Sequence, residues 1–311
     1  MTDVDRYVVV TGGTSGLGFR LAELLAHDRG FKVILTGRSQ TATNKAAQRA
    51  GAIGLALDLG SLNSVRHFAS EVAALTGGAP LHALVCNAGI QALQRSKTAE
   101  GFETTFGVNH IGTVALIEEI LRTTGAPTRR VLVASGVHDP DQRTGMPTPL
   151  EQASVRELAY PAPWKSTDES AERDGRRRYA TSKLGNVRTA IELSRRLAGT
   201  TVVSAFDPGL MPGTGLARDA GPVQRALWAS VFRLMLIVPG VQTPRQSARQ
   251  LARLVTDTPT VASGTYVERG RSRLPSVAAR DTAAAHTFYE DTLALLAETA
   301  AGGSLPNSEQ L

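Results

Sequence analysis

A run of glycines directly after the first apolar stretch constrains the fold of this chain most. Tyr7-Val-Val-Val-Thr11 has the composition of a buried strand, Gly12-Gly-Thr-Ser-Gly16-Leu-Gly18 follows at once, and leucines at helical spacing come next. Glycines let a backbone approach a pyrophosphate closely, and a helix start supplies N–H groups and a favourable dipole. The spacing is Gly-x-x-x-Gly-x-Gly rather than Gly-x-Gly-x-x-Gly, but strand, turn and helix in this order predict a cofactor cradle.

The end of the second predicted strand indicates which dinucleotide this cradle binds. Lys32-Val-Ile-Leu-Thr36 is followed by Gly37-Arg38-Ser39, with no acidic residue. At this position an acid binds the ribose 2′-hydroxyl of NAD, whereas an arginine accommodates the 2′-phosphate of NADP. Arg38 therefore favours NADP(H), the alternative being a solvated loop arginine.

Two residues four positions apart, Tyr179 and Lys183, are a candidate catalytic pair. This spacing puts both side chains on one face of a helix. A nearby ammonium favours phenolate, so we expect Lys183 to lower the pKa of Tyr179 and make it a proton donor and acceptor for an alcohol or ketone. Ser135 follows the predicted strand Val131-Leu-Val-Ala and would project into the crevice where such sheets bind ligands.

Length and composition are consistent with one α/β domain. The 311 residues are 42% hydrophobic, and predicted strands alternate with helical stretches, which is typical of a parallel, doubly wound sheet with helices on both faces. Seven strands are predicted, near residues 6–11, 32–36, 52–57, 81–86, 129–135, 201–206 and 264–267.

The charge and the chain ends bear on partners and location. The net charge is +6, but the arginines are scattered rather than interleaved with aromatic residues, which argues against nucleic acid. The single cysteine, Cys86, is compatible with a reducing compartment, and no secretory signal or integral membrane segment is evident. We therefore expect a cytoplasmic protein acting on a small molecule, without a metal; monomer and homo-oligomer remain open.

Six ordered motifs resemble those of the short-chain dehydrogenase/reductase family over roughly residues 6 to 270. Besides the glycine turn and Tyr179–Lys183, they are Leu57-Asp-Leu59, Leu84-Val-Cys-Asn-Ala-Gly89, Val108-Asn-His110 and Val131-Leu-Val-Ala-Ser135. The resemblance implies a Rossmann fold and a catalytic tetrad of Asn109, Ser135, Tyr179 and Lys183. In that tetrad the Asn109 side chain would hold a water in a proton relay to Lys183.

The same resemblance implies the cofactor contacts. Asp58 would bind the adenine, the segment 87–89 would line the adenine-ribose side, Lys183 would also hold the nicotinamide ribose, and Pro208-Gly209 would close over the nicotinamide. The complete expected set is Gly12, Thr14, Ser15, Gly16, Leu17, Gly18, Arg38, Asp58, Leu59, Asn87, Ala88, Gly89, Tyr179, Lys183, Pro208 and Gly209.

Two further segments are expected to determine the substrate. The stretch at about 137–175 is an insert, proline-rich and then charged, and such long irregular stretches are usually lids or flexible loops. Residues 210–243 contain an apolar helical stretch with Trp228 and Phe232, predicted to cover a substrate pocket; core packing and shallow membrane contact are the alternatives. The run Arg176-Arg-Arg178 is either a solvated helix start or a contact to an anionic substrate.

Within the family the motifs look most similar to the retinol dehydrogenase and protochlorophyllide reductase branches. Two departures matter: the threonine expected four positions after Gly209 is displaced to Thr214, and the cysteine that protochlorophyllide reductases carry after Pro-Gly is Leu210. The second departure argues against photochemical reduction. The resemblance implies NADP(H)-dependent reduction of a carbonyl, or its reverse, on a bulky apolar molecule. The alternatives are reduction of an activated C=C bond and a non-catalytic NADP(H) sensor.

Overall fold

The computed structural model describes residues 6–142, 144–162, 170–211, 241–256 and 261–302. They form a sheet in the order β3-β2-β1-β4-β5-β6-β7-β8, parallel throughout except for the antiparallel β7–β8 pair. The strands are β1 (Tyr7–Val10), β2 (Lys32–Gly37), β3 (Ile53–Ala56), β4 (Ala83–Cys86), β5 (Arg129–Val133), β6 (Val202–Asp207), β7 (Thr265–Glu268) and β8 (Arg271–Arg273). The predicted doubly wound α/β fold is confirmed.

Helices cover both faces of this sheet. They are α1 (Gly16–Arg29), α2 (Gln40–Ala50), α3 (Leu62–Thr76), α4 (Thr104–Phe106), α5 (Gly112–Thr124), α6 (Val155–Ala159), α7 (Ala171–Arg196), α8 (Pro244–Val255), α9 (Val277–Arg280) and α10 (Thr282–Ala300). A π-helical turn, Gly107–Ile111, joins α4 to α5. Among the described residues, none of these helices is both long and apolar enough to cross a membrane.

The strands are apolar on both sides because each face is buried under helices. One core cluster lies beneath α1, α2 and α8, and the other beneath α3, α5, α7 and α10. In β1, Val8 and Val10 belong to the first cluster and Val9 to the second. Parallel pairing of β1, β4, β5 and β6 puts the carboxyl ends of the central strands side by side, which is where the candidate site forms.

One element of the sheet was not predicted. The expectation of seven strands is wrong by one, because β8 adds an antiparallel edge strand. Its sequence Arg271-Ser-Arg273 is fully exposed and carries no apolar residue, so it lacks the alternation that marks a strand with one buried face. Charged edge strands of this kind also discourage pairing with another chain.

The two segments expected to determine the substrate are only partly described. The insert contains a 3-10 turn (Gly136–His138) and α6, and it leads into α7, which begins at Ala171. Most of the predicted lid, with Trp228 and Phe232, lies outside the described residues. At its base Leu210 pairs with Val241, and the Gln242 amide donates to the Leu210 carbonyl at 3.0 Å.

Candidate active site

The glycine turn is hydrogen-bonded to the end of β4. The Thr11 hydroxyl accepts from the backbone amides of Asn87 and Ala88, both at 2.9 Å. The Asn87 side chain donates in return to the carbonyls of Thr11, at 2.8 Å, and of Gly12, at 3.3 Å. Asn87 thus steadies the cradle, so the structure gives it a positioning role beside the cofactor contact inferred from the resemblance.

Close backbone approach explains why this turn needs glycine. A Cβ on Gly12 would lie 2.9 Å from the Ala88 Cα, and one on Gly18 would lie 2.6 Å from the Gly12 carbonyl oxygen. Gly12 and Gly16 also have φ angles of 65° and 60°, which disfavour other residues. At the N-cap of α1, the Ser15 side chain makes no capping hydrogen bond. The open turn and the uncapped helix start suit a phosphate.

The adenosine side of the predicted site lies along the ends of β2 and β3. Asp58 follows β3 and is half-buried; its Oδ1 accepts from the Gly60 amide at 2.9 Å. Leu59 is only 6% exposed and belongs to the core, so its side chain contributes packing rather than a polar contact. Arg38 is exposed after β2 and makes no ion pair with any described residue.

Asn109 stands on the π-helical turn and is fully buried. Its Oδ1 accepts from the Ile90 amide at 2.8 Å, and its Nδ2 donates to the Ile90 carbonyl at 2.8 Å and to the Ser182 hydroxyl at 3.0 Å. The amide group therefore holds the segment after Gly89 against α7. A water relay through Asn109 stays a prediction.

Lys183, on α7, lies close to the segment around Gly89. A Cβ placed on Gly89 would lie 3.3 Å from the Lys183 Nζ and 3.4 Å from the Asn109 Oδ1, so three of the predicted site residues converge. Nζ donates to the Val133 carbonyl at the end of β5 at 3.0 Å. Burial, partly offset by the Asp207 carboxylate, lowers the pKa of Lys183 to about 8.

The expected effect of Lys183 on the Tyr179 pKa is wrong in this structure. Burial first, and then the negative charge of Asp207, raise the pKa of Tyr179 to about 12. The Lys183 Nζ lies 5.6 Å from the centroid of the Tyr179 ring, so the two share one face of α7 as predicted. Burial and the charge of Asp207 both favour the neutral phenol, and Tyr179 remains a protonated acid.

Ser135 lies two residues beyond the end of β5 and is partly buried. It is the N-cap of the 3-10 turn, and its carbonyl accepts from the ring Nδ1 of His138 at 2.8 Å. Its hydroxyl makes no hydrogen bond with the described part of the chain. That hydroxyl is therefore free to donate to a substrate oxygen.

Asp207 is a site residue that the sequence analysis missed. Its buried carboxylate accepts from the Gly209 amide at 2.8 Å and from the Tyr266 hydroxyl at 2.9 Å. A Cβ on Gly136, next to Ser135, would lie 3.1 Å from Oδ2. Asp207 thus connects the Pro208-Gly209 turn to the Ser135 turn. An acid at a strand end directly before Pro-Gly was the available signal.

The arginines before Tyr179 have separate partners within the protein. Arg176 pairs with the exposed Glu172, and Arg177 donates to the Thr148 carbonyl at 3.0 Å. Arg178 is 6% exposed and is enclosed by carboxylates of Glu103 and Asp174. The Arg178 guanidinium is therefore structural rather than a contact for an anionic substrate.

Comparison with known proteins agrees with this geometry. The family model for short chain dehydrogenase matches residues 6–138. Protochlorophyllide reductase B of Oryza sativa subsp. japonica is 32% identical over 276 residues, 83% of this chain and 68% of the relative. Protochlorophyllide reductase of Avena sativa is 32% identical over 278 residues, 83% of this chain and 88% of the relative. The chain belongs to the short-chain dehydrogenase family.

Solved structures place this short-chain dehydrogenase in the same fold. An uncharacterized protein from Mycobacterium paratuberculosis is 27% identical, with 94% of this chain and 95% of that chain covered and a TM-score of 0.66. Actinorhodin polyketide ketoreductase, solved with NADPH, is 21% identical, with 85% and 95% covered and a TM-score of 0.60. The resemblance seen in the motifs is thus confirmed, and with it an oxidoreductase that uses a nicotinamide cofactor.

Proposed function

We propose that this short-chain dehydrogenase catalyses NADPH-dependent reduction of a carbonyl, or the reverse oxidation, on a bulky and largely apolar small molecule. The observation that carries the proposal is the convergence of Lys183, Asn109 and Gly89, with Tyr179 on the same face of α7. A protonated tyrosine close to a buried lysine is the proton donor that a developing alkoxide requires.

The residues present fit the cofactor, because the glycine turn leads into α1 and the Ser15 side chain does not cap the amides at the start of that helix. Gly12 and Gly18 let the turn pack closely on Ala88 and on its own backbone, which fixes this geometry. The segment 87–89, Asp58 and Pro208-Gly209 are proposed to line the rest of the site. Arg38 supports NADP(H) over NAD(H), because it is an exposed cation after β2 that makes no ion pair with the described part of the chain.

Each member of the tetrad has a distinct proposed task. NADPH supplies the hydride. Tyr179 gives its hydroxyl proton to the carbonyl oxygen, and Ser135 donates a hydrogen bond to that oxygen as negative charge develops on it. Lys183 holds a positive charge beside this reaction, and Asn109 fixes the segment after Gly89 against it.

Photochemical protochlorophyllide reduction is not proposed, although the relatives carry that substrate in their names. Position 210, after Pro-Gly, is an exposed leucine and supplies no acidic proton. The apolar substrate rests on the composition of residues 210–243, whose predicted lid function stays a proposal. A cytoplasmic location also stays a proposal, since the Oryza relative is named as chloroplastic.

A panel screen tests the proposal. Purified protein is incubated with NADPH and a series of bulky ketones, aldehydes and conjugated enones, and cofactor oxidation is followed by absorbance. Turnover of ketones or aldehydes is expected. Turnover of enones alone would indicate C=C reduction, in which Tyr179 protonates carbon. Binding of NADPH with no turnover on any member would favour a cofactor sensor.

A further inference from the structure

A cavity of about 330 Å³ opens beside the start of α1, on the side of α2 and α8. Two arginines line it and no acidic residue does. The lining residues are Thr14, Ser15, Gly16, Phe19, Arg20, Arg49 and Pro244. The cavity therefore joins the glycine turn to a pair of cations that the sequence analysis did not assign.

The two guanidiniums are held against a single ring. The central carbon of Arg49 lies 4.8 Å from the centroid of Phe19, and that of Arg20 lies 5.6 Å from it. Phe19 is only 6% exposed, so the ring is a firm support for both side chains.

Within the described part of the chain, an ion pair balances only one of these two charges. Arg20 pairs with Glu23 at 2.8 Å, whereas Arg49 makes no ion pair with any described residue. Two cations gathered on one ring repel each other unless an anion lies between or beside them. The start of α1 adds to this preference, because its first turn has no acidic residue and Ser15 does not cap it.

The cavity also adjoins the end of β2, where Arg38 follows. Thr14 lines the cavity, and a Cβ on Gly37 would lie 2.4 Å from the Thr14 Cγ2. The same point lies 2.8 Å from the Thr43 hydroxyl, which is fully buried and has no hydrogen-bond partner among the residues that the structure describes. The 2′ position of the adenosine ribose, which carries a hydroxyl in NAD and a phosphate in NADP, binds at this end of the second strand.

We propose that Arg20 and Arg49 bind the 2′-phosphate of NADP(H), together with Arg38 from the end of β2. This inference rests on the proposed use of NADP(H) and identifies further residues that determine cofactor specificity. Paired guanidiniums suit a phosphate monoester, because each can donate two hydrogen bonds to its oxygens.

Calorimetric titration of the full chain tests the proposal without any substrate. Adenosine 2′,5′-bisphosphate and NADPH carry the 2′-phosphate, whereas adenosine 5′-monophosphate and NADH do not. Arg20→Gln and Arg49→Gln should each weaken binding of the first two ligands about tenfold, the loss expected for one charge-assisted contact, and leave the other two unchanged. Lys45→Gln is the matched control, because it removes one positive charge from the exposed face of α2 outside the cavity.

Each other outcome overturns the inference in a distinguishable way. If Arg38→Gln alone weakens the 2′-phosphate ligands, the preference for NADP(H) survives but Arg20 and Arg49 do not contribute to it. If Arg49→Gln weakens NADPH and NADH equally, the cavity holds a phosphate common to both cofactors. If the unmodified protein binds NADPH and NADH equally well, the proposed cofactor preference fails together with the inference. Circular dichroism of each variant confirms that it is folded.

Discussion

At the scale of single residues, the proton chemistry depends on loss of solvent more than on the lysine. Lys183 is buried and Tyr179 half-buried at the end of the sheet, and loss of solvent shifts the pKa of each toward its neutral form. Tyr179 therefore carries its proton through the neutral pH range. This state suits the reductive direction, in which the phenol is the acid.

Removing that proton gives the first prediction. Tyr179→Phe keeps the ring but has no hydroxyl, so carbonyl turnover should fall about 10²–10⁴-fold, the usual contribution of general acid catalysis. NADPH affinity, measured by titration, should change little. Tyr7→Phe, which removes a hydroxyl at the amino end of β1, at the opposite end of the sheet from the site, is the control and should leave turnover unchanged. Near-normal turnover in Tyr179→Phe would remove Tyr179 from the mechanism.

The charge of Asp207 predicts the direction in which the pH profile of the reaction should shift. Its negative charge contributes, after burial, to the raised pKa of Tyr179, so Asp207→Asn should lower that pKa. Reduction needs protonated Tyr179, and the alkaline limb of kcat/KM against pH should therefore move to lower pH. Tyr266→Phe removes one hydrogen bond to the same carboxylate but keeps its charge, so it should shift the limb less. An unmoved limb in Asp207→Asn would contradict this electrostatic role.

At the scale of elements, a buried ion cluster holds the start of the catalytic helix α7. Arg178 on α7 pairs with Asp174 at 3.1 Å and with Glu103, which also accepts from the amides of Thr105 and Phe106 at the start of α4. Arg95 reaches the same Asp174 at 2.9 Å. One cluster thus joins α4, α7 and the segment that follows β4.

Breaking this ion cluster should lower the free energy of unfolding. Arg178→Met leaves the buried Glu103 carboxylate without this cation and Asp174 with Arg95 alone, and the loss expected for a broken buried pair is about 3–5 kcal/mol of unfolding free energy. Denaturant titration measures it. Arg176→Gln, two residues earlier on the same helix, removes only an exposed pair and should cost no more than about 1 kcal/mol. Equal losses in both variants would show that the buried cluster contributes no more than a surface pair.

The same elements show what the sequence could and could not predict. Seven strands and the cradle were predictable because each is a local apolar run ended by glycine or by a polar site residue. The Arg178–Glu103 pair was not, because its partners stand 75 positions apart and come together only when α4 packs on α7. The strand β8 was also missed, since backbone pairing with β7 defines it and its side chains carry no pattern.

At the scale of the whole molecule, the C-terminal helix α10 is packed onto the site scaffold. His110, next to Asn109 on the π-helical turn, contacts Thr292 of α10 through Nε2 at 2.9 Å and lies with its ring 4.9 Å from that of Phe288. The last described helix thus supports the turn that carries Asn109. Burial, with a smaller effect of Arg188, lowers the pKa of His110 to about 3.

This buried histidine predicts an acid sensitivity of the fold. Above pH 6.5 His110 is neutral in both states; below it the unfolded chain binds a proton that the folded chain excludes down to about pH 3. As the pH decreases through that window, this residue should lower the free energy of unfolding by up to about 1.4 kcal/mol per pH unit. His110→Gln should flatten the slope of unfolding free energy against pH, while the exposed His67→Gln should not. An unchanged slope in His110→Gln would contradict the assignment.

The position of Cys86 has a practical consequence for experiments on this protein. It is the chain's single cysteine, it lies 4% exposed on the central strand β4, and burial raises its pKa to about 12. Alkylating reagents attack the thiolate, so the native protein resists them and modification follows the opening of the sheet. A cysteine introduced at any exposed position would therefore take up a fluorophore or spin label alone. The natural sequence can therefore be labelled at one chosen position without first replacing its own cysteine.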